Sequence, residues 1–159
     1  MMNTKRPVIV VPGDEPRQIG GSPALKRLED FGDVIVFDTR PQSIEEQIER
    51  VHSADVVINS RGQIRWYADV LDQLPQLKMI TVCGIGTDSI DLETARERGI
   101  VVSNIPGKTA PIVAEHAFAL MLATARRLSY MTSCMKTGQW SRMQLTSLIG
   151  KTLGVIGTG

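Results

Sequence analysis

Apolar and polar positions follow two distinct rhythms along the first two-thirds of the chain. Five short runs are apolar at nearly every position: PVIVV (7–11), DVIVFD (33–38), DVVIN (55–59), LKMITVCG (77–84) and IVVSN (100–104). A strand with one wet face alternates apolar with polar residues, so these Val/Ile-rich runs predict strands covered on both faces. Amphipathic stretches separate them. PALKRLEDFG (23–32) sets Leu25 and Leu28 on one helical face and ends in a glycine. SIEEQIERVHSA (43–54) has a serine cap, Glu46 at the third helical position, and Ile44, Ile48 and Val51 in one stripe. IRWYADVLDQLP (64–75) predicts a helix stopped by Pro75, and SIDLETARERG (89–99) another. Strands alternating with helices predict an α/β fold: a flavodoxin-like, doubly wound, parallel five-stranded sheet in the order 2-1-3-4-5. Residues 1–104 are expected to form this single domain.

The rest of the chain has a different pattern. TAPIVAEHAFALMLATARRLSYMTSCMK (109–136) is apolar almost all round between 112 and 125, which predicts a helix buried on most of its surface. Its uninterrupted apolar stretch, 117–123, is far shorter than the roughly 20 residues of a membrane span. A five-stranded domain covers a helix on one face only, so a further surface is expected to cover the others. Residues 105–150 therefore read as a long helix and linker. The chain then reaches LIGKTLGVIGTG (148–159), in which 153–156 reads as a short buried strand entering the turn Gly157-Thr158-Gly159. A strand running into G-x-G opens a dinucleotide-binding βαβ unit, where the next helix holds the pyrophosphate on its N-terminus. Residues 151–159 accordingly read as the truncated start of a Rossmann domain.

Composition narrows the function classes. The 159 residues carry a formal net charge of +1, with 22% charged and 42% hydrophobic residues, as in an ordinary soluble domain. That balance gives no electrostatic case for nucleic acid or an anionic membrane. Cys83 and Cys134 follow no metal or redox spacing, so both are expected as reduced thiols and no metal site is expected. The basic start MMNTKRPVIVVPGDE has an apolar run shorter than the roughly 7–15 residues of a secretory segment. It reads as the first strand of a cytoplasmic protein.

In a doubly wound sheet, ligands sit off the carboxyl ends of the strands. The segments there are PGDEPRQIGG, NSRGQI with Ser60 and Arg61, CGIGTDSID, and NIPGKTAP. In the third, Gly84 and Gly86 flank Ile85, so the backbone can turn tightly and offer N–H groups to an anion. The plainer reading is a strand-to-helix turn. Asp88 or Asp91 is expected to cap the helix beginning near Ile90. His52 ends an amphipathic helix and is expected to face solvent or the helix C-terminus. His116 is expected to be a hydrogen-bonded packing residue, since side chains adjacent on a helix diverge by about 100° and Glu115 is no relay partner. Arg126 and Arg127 suit the end of the apolar helix, and Trp66 and Trp140 read as packing residues.

The combination of short motifs is more specific than any one of them. Gly84, Gly86, Asp88, Ile90 and Asp91 are followed by Ala95, Gly99, Ile100, Val102, Asn104, Pro106 and Gly107, then by Val113, Ala114, Glu115, His116, Leu120 and Leu122. This series resembles the D-isomer-specific 2-hydroxyacid dehydrogenases, which include phosphoglycerate, glycerate, formate and phosphite dehydrogenases. The resemblance implies that 1–104 is a substrate-binding domain and that the long helix leads to a Rossmann domain and lies at a homodimer interface, within 109–136. Substrate contacts are implied at Ser60 and at the backbone of Gly84, Ile85 and Gly86, facing the carboxylate of a small 2-hydroxy or 2-keto acid. Contacts to NAD or NADP are implied at Ala110, Gly157 and Gly159. Asn59 stands where several relatives carry Arg before the Ser, with Arg61 as the replacement at hand. The family's catalytic Arg, Glu and His come from the Rossmann half and beyond, so no catalytic residue is expected in this chain.

Two classes of function follow. In the first the chain is the N-terminal portion of an NAD(P)-dependent dehydrogenase and is inactive alone, with no cofactor bound. In the second it is a free-standing flavodoxin-like module that self-associates through its long helix. The first is favoured, because a free module has no evident use for a lone strand and half a glycine motif.

Overall fold

The computed structural model describes residues 5–60 and 62–157. The chain divides after Lys108 into two compact units, Met1–Lys108 and Thr109–Gly159. The first contains β1 (Val8–Val11), α1 (Pro23–Glu29), β2 (Asp33–Val36), α2 (Ile44–Val51), β3 (Val56–Asn59), α3 (Ala68–Leu71), β4 (Met79–Val82), α4 (Leu92–Glu97) and β5 (Val101–Ser103). The strands form one parallel sheet in the order β2-β1-β3-β4-β5, as the pattern of runs predicts. The near-continuous apolar runs have the expected cause. Within β1, Val10 packs into one core cluster, with Val57, Ile80, Val51 and Leu71. Its neighbours Ile9 and Val11 pack into another with Ile58. Successive side chains point to opposite faces, so one strand serves both layers.

Local chemistry sets the helix ends. The Ser43 hydroxyl accepts from the Glu46 N–H at 3.2 Å, and the Glu46 carboxylate accepts from the Gln42 N–H at 2.7 Å. The α2 stripe differs from expectation in one position. Ile44 is exposed and Gln47 is buried instead, its Nε2 donating to the Arg65 carbonyl at 2.8 Å. At the end of α4, Gly99 has φ of +69°. Its N–H reaches the Arg96 carbonyl at 3.1 Å, and the Ile100 N–H reaches the Ala95 carbonyl at 2.8 Å. That paired closure needs the left-handed residue glycine supplies.

The segment 64–75 departs most from its pattern. Only Ala68–Leu71 is helical. Trp66 instead makes a parallel bridge with Ile90, its N–H donating to the Ser89 carbonyl at 2.7 Å and its carbonyl accepting from the Asp91 N–H at 2.9 Å. A backbone committed to a neighbouring loop cannot enter a helix, and the indole, fully buried, packs as a strand residue does.

The second unit contains α5 (Ala110–Ala125) and α6 (Leu128–Lys136), separated at Arg127, whose φ of 48° and ψ of 40° break the helix. No residue of α5 is buried, so the all-round burial that its composition predicts is not provided here. His116 is exposed rather than packed. Trp140 is likewise 73% exposed. Residues 153–156, expected as a buried strand, are in no regular element and make no strand pairing among the described residues, and Ile156 is 100% exposed. A single strand has no neighbour on which to spend its hydrogen bonds.

Candidate functional site

The carboxyl ends of β1, β3 and β4 lie side by side, because β3 pairs with both of the others. Asn59 is in register with Val82, so Ser60 and Cys83 are the first residues beyond adjacent strands. The loops that leave here are the ones the sequence singles out.

Ser60 is 3% exposed, and its hydroxyl donates to the Gly13 carbonyl at 3.1 Å. It lines a small crevice with Gly13, Glu15, Arg40, Gln63 and Ile64. The loop after β1 is organised by Asp14, which the sequence reading does not single out. Its carboxylate accepts from the N–H groups of Gln18, Ile19 and Gly20 at 2.7–3.1 Å. Burial works to raise its pKa, but those N–H groups and the Arg17 charge outweigh it and hold the carboxyl below its ordinary value. An aspartate three residues past a strand end, four residues before QIGG, is an Asx-type signal, but nothing local distinguishes it from the other polar residues of the loop. Arg50 also gathers this end of the sheet. Its guanidinium donates to the carbonyls of Pro12 and Thr39 and stacks over the Phe37 ring, 4.7 Å from the centroid.

The loop after β4 has an arrangement suited to an anion. The Gly84 carbonyl accepts from the Ile105 N–H at 2.8 Å, and the Ile85 carbonyl accepts from Asn104 Nδ2 at 2.7 Å. Both oxygens are thus occupied, while the N–H groups of Ile85 and Gly86 have no partner among the described residues. Neither glycine has a positive φ. A Cβ at Gly84 would meet only Val82 Cγ1, at an ordinary 3.9 Å, and one at Gly86 would meet the Asp88 carboxylate tip at 2.9 Å. The turn itself therefore does not require glycine at either position, which weakens the plain structural reading. Bare backbone is useful where a ligand approaches closely. Beside this loop Cys83 is exposed at the surface, yet partial desolvation together with the Asp14 charge pushes its thiol up.

Of the two aspartates, Asp91 is the cap: its carboxylate accepts from the Thr94 N–H at 3.0 Å and the Thr94 hydroxyl at 2.9 Å, and both lower its pKa. His52 caps the end of α2, exposed, with Nδ1 2.7 Å from the Glu49 carbonyl.

The residues implied for a dinucleotide all belong to the second unit. Ala110 is the first residue of α5 and is exposed. Gly157 has φ of +78° at the end of the unpaired segment, and Gly159 lies outside the described residues, as does Arg61. A dinucleotide site needs a paired strand, the glycine turn and a helix N-terminus beyond it. Residues 153–156, which lead into the glycine turn, make no strand pairing among the described residues, so by themselves these residues do not fit the group. Among them no three His, Cys, Asp or Glu side chains cluster to hold a metal, and no helix is long and apolar enough to cross a membrane.

The family model for "D-isomer specific 2-hydroxyacid dehydrogenase, catalytic domain" matches residues 17–148. The chain belongs to this family. It is 41% identical over 138 residues to a D-3-phosphoglycerate dehydrogenase of Methanocaldococcus jannaschii, covering 86% of this chain and 26% of that protein. It is 42% identical over 117 residues to a hydroxypyruvate reductase of Thermotoga maritima, covering 72% and 38%. The chain thus spans well under half the length of these curated relatives. Among solved structures, a Sinorhizobium meliloti NADPH-dependent glyoxylate/hydroxypyruvate reductase, in complex with NADP and malonate, superposes with a TM-score of 0.74 at 28% identity, covering 98% of this chain and 47% of that one. An acyclic imino acid reductase in complex with NADPH and D-Arg gives 0.75 at 26% identity, covering 85% and 42%. Members of the 2-hydroxyacid dehydrogenase family are oxidoreductases that use nicotinamide cofactors, and this chain carries their five-stranded parallel sheet.

Proposed function

We propose that this chain is the substrate-binding, N-terminal portion of a cytoplasmic NAD(P)-dependent D-2-hydroxyacid dehydrogenase, with 1–104 as the substrate domain. The complete enzyme exchanges a hydride between the nicotinamide and C2 of a small 2-hydroxy or 2-keto acid. The observation that carries this reading is the loop after β4, whose carbonyls are tied back to Asn104 and Ile105 while the Ile85 and Gly86 N–H groups have no partner among the described residues. Two adjacent N–H donors on unshielded backbone suit the substrate carboxylate, with Ser60 on the neighbouring turn as a further contact. In the complete enzyme the nicotinamide dinucleotide meets Ala110, Gly157 and Gly159. Residues 105–150, and 109–136 in particular, form the homodimer contact, a role favoured by the exposed apolar surface of α5.

The 159-residue chain alone is expected to be inactive, because the family's catalytic Arg, Glu and His match no position in it. The test is turnover by the full-length protein on glyoxylate, hydroxypyruvate and D-3-phosphoglycerate with each nicotinamide cofactor. Saturable turnover on at least one of these acids is expected, and its absence on all three would remove the reading.

A further inference from the structure

Asn59, the last residue of β3, is 1% exposed, and nothing about a β-strand requires an amide there. Its Nδ2 donates twice, to the Ile64 carbonyl at 3.3 Å and to the Ser89 hydroxyl at 3.2 Å. The first bond closes the turn that carries Ser60. The second crosses to the other loop, since Ser89 is buried just beyond Gly86. A primary amide holds two donor hydrogens in one plane, so a single side chain sets the position of both acceptors.

We propose that Asn59 is a positioning residue that holds the Ser60 turn and the Gly84-Ile85-Gly86 loop at one separation, acting through Ser89. This rests on the reading that those two loops receive the substrate acid. The sheet and the Trp66–Ile90 bridge hold the two segments together as fold. What the amide adds is the fine spacing between the Ser60 turn and the backbone N–H groups of the other loop. A small acid whose carboxylate takes those N–H groups while the rest of it abuts the Ser60 turn is sensitive to that spacing, because misplacing a donor by a fraction of an ångström weakens its hydrogen bond. Residues of similar size without donors, such as leucine, fill the volume but leave a buried carbonyl and a buried hydroxyl unpaired.

The test uses the full-length enzyme with three variants. Ser89→Ala removes only the bond between loops, Asn59→Leu removes both bonds, and Ser89→Thr keeps the hydroxyl. In Ser89→Ala the KM for the acid is expected to rise about fivefold, the factor one hydrogen bond of ordinary net strength supplies. Asn59→Leu should raise it further. In both, kcat and the KM for the cofactor should move far less, and Ser89→Thr should restore the acid KM. Amide hydrogen exchange should quicken in Ser89→Ala at Trp66, after the Ser60 turn, and at Ile105, tied to the β4 loop, together, since their N–H groups are bonded to the Ser89 and Gly84 carbonyls. A lowered melting temperature with unchanged acid KM would overturn the proposal, since it marks a purely structural residue. If the wild-type enzyme turns over no 2-hydroxy or 2-keto acid, the functional reading has failed and exchange decides alone. Faster exchange on both loops then upholds the coupling, and exchange confined to one loop or unchanged overturns it.

Discussion

Asn104, just past the end of β5, donates its side-chain amide to the Ile85 carbonyl at 2.7 Å, and the Ile105 N–H beside it reaches the Gly84 carbonyl at 2.8 Å. The exit of the edge strand therefore fixes which side of the β4 loop presents oxygens. Because the Asn104 bond is exposed to solvent, Asn104→Ala should cost less than about 1 kcal/mol of stability. The acid KM of the full-length enzyme should nonetheless rise severalfold. Asn104→Asp should be worse, since it sets a carboxylate against the Ile85 carbonyl and near the bound acid. Steady-state kinetics on the two variants check the ordering; equal or unchanged KM values would separate Asn104 from the site.

At Gly84 a Cβ has ordinary room, and at Gly86 it meets only a flexible carboxylate tip. Gly84→Ala and Gly86→Val should therefore fold with little loss of melting temperature, while Gly86→Val raises the acid KM by blocking close approach to the backbone. An unchanged KM with a large fall in melting temperature would return both glycines to a purely structural role.

Asp14 ties three N–H groups of the β1 loop, and its pKa is held below the ordinary value. A carboxyl depressed in the folded state stabilises the protein above its unfolded pKa of about 3.9, and that contribution fades as pH falls through the lower folded value. Asp14→Asn should cost about 2 kcal/mol near neutrality, as charge-assisted bonds become neutral ones. The difference between variant and wild type should shrink below about pH 4. Urea unfolding at pH 7 and pH 3 checks the sign; a gap that widens with acid would contradict it.

The sheet was legible because burial on both faces writes itself as unbroken Val/Ile runs. That an aspartate caps α4 is legible because a cap needs only local spacing, although the spacing leaves Asp88 and Asp91 open and the structure picks Asp91. The errors share one cause. The pattern puts Trp66 in a helix because nothing local announces a bridge to Ile90, a partner in another loop. Periodicity puts Ile44 in the buried stripe because it does not reveal that Gln47 has an acceptor in Arg65. For 153–156, apolar composition signals what a strand needs, which these residues do not find within the described chain. The glycine loop is legible in Gly84 and Gly86 flanking Ile85 at a strand's carboxyl end, while its substrate role, and that of Ser60, comes only from the resemblance. Asp14, Asn59, Ser89 and Asn104, which hold those loops in place, act through long-range hydrogen bonds that leave no periodic trace.

The 159-residue chain alone is expected to show neither dehydrogenase turnover nor saturable binding of NADH at sub-millimolar concentration. The residues implied for the dinucleotide include an unpaired segment ending at Gly157, with no sheet to hold the turn. Isothermal titration with NADH, alongside the assay on glyoxylate, tests both halves of the statement. Sub-millimolar binding would mean that residues other than Ala110, Gly157 and Gly159 hold the dinucleotide.

The same chain is not expected to persist as a monomer. Ile112, Val113, Phe118, Leu120 and Leu122 are all at least half exposed, and they are distributed around α5 instead of along one stripe. Full burial of a large apolar side chain is worth roughly 1.5–3 kcal/mol, so several such residues in water drive association strongly. The simplest closed arrangement is a two-fold pair in which the same surface of 109–136 meets its copy. Leu120→Glu and Leu122→Glu, on an exposed helix where neither disturbs a buried neighbour, should weaken that pairing without unfolding α5. Sedimentation equilibrium at tens of micromolar should then give twice the chain mass for the wild type and the single-chain mass for the double variant. A wild-type monomer with full helical signal by circular dichroism would mean that the apolar faces of α5 are covered within one chain.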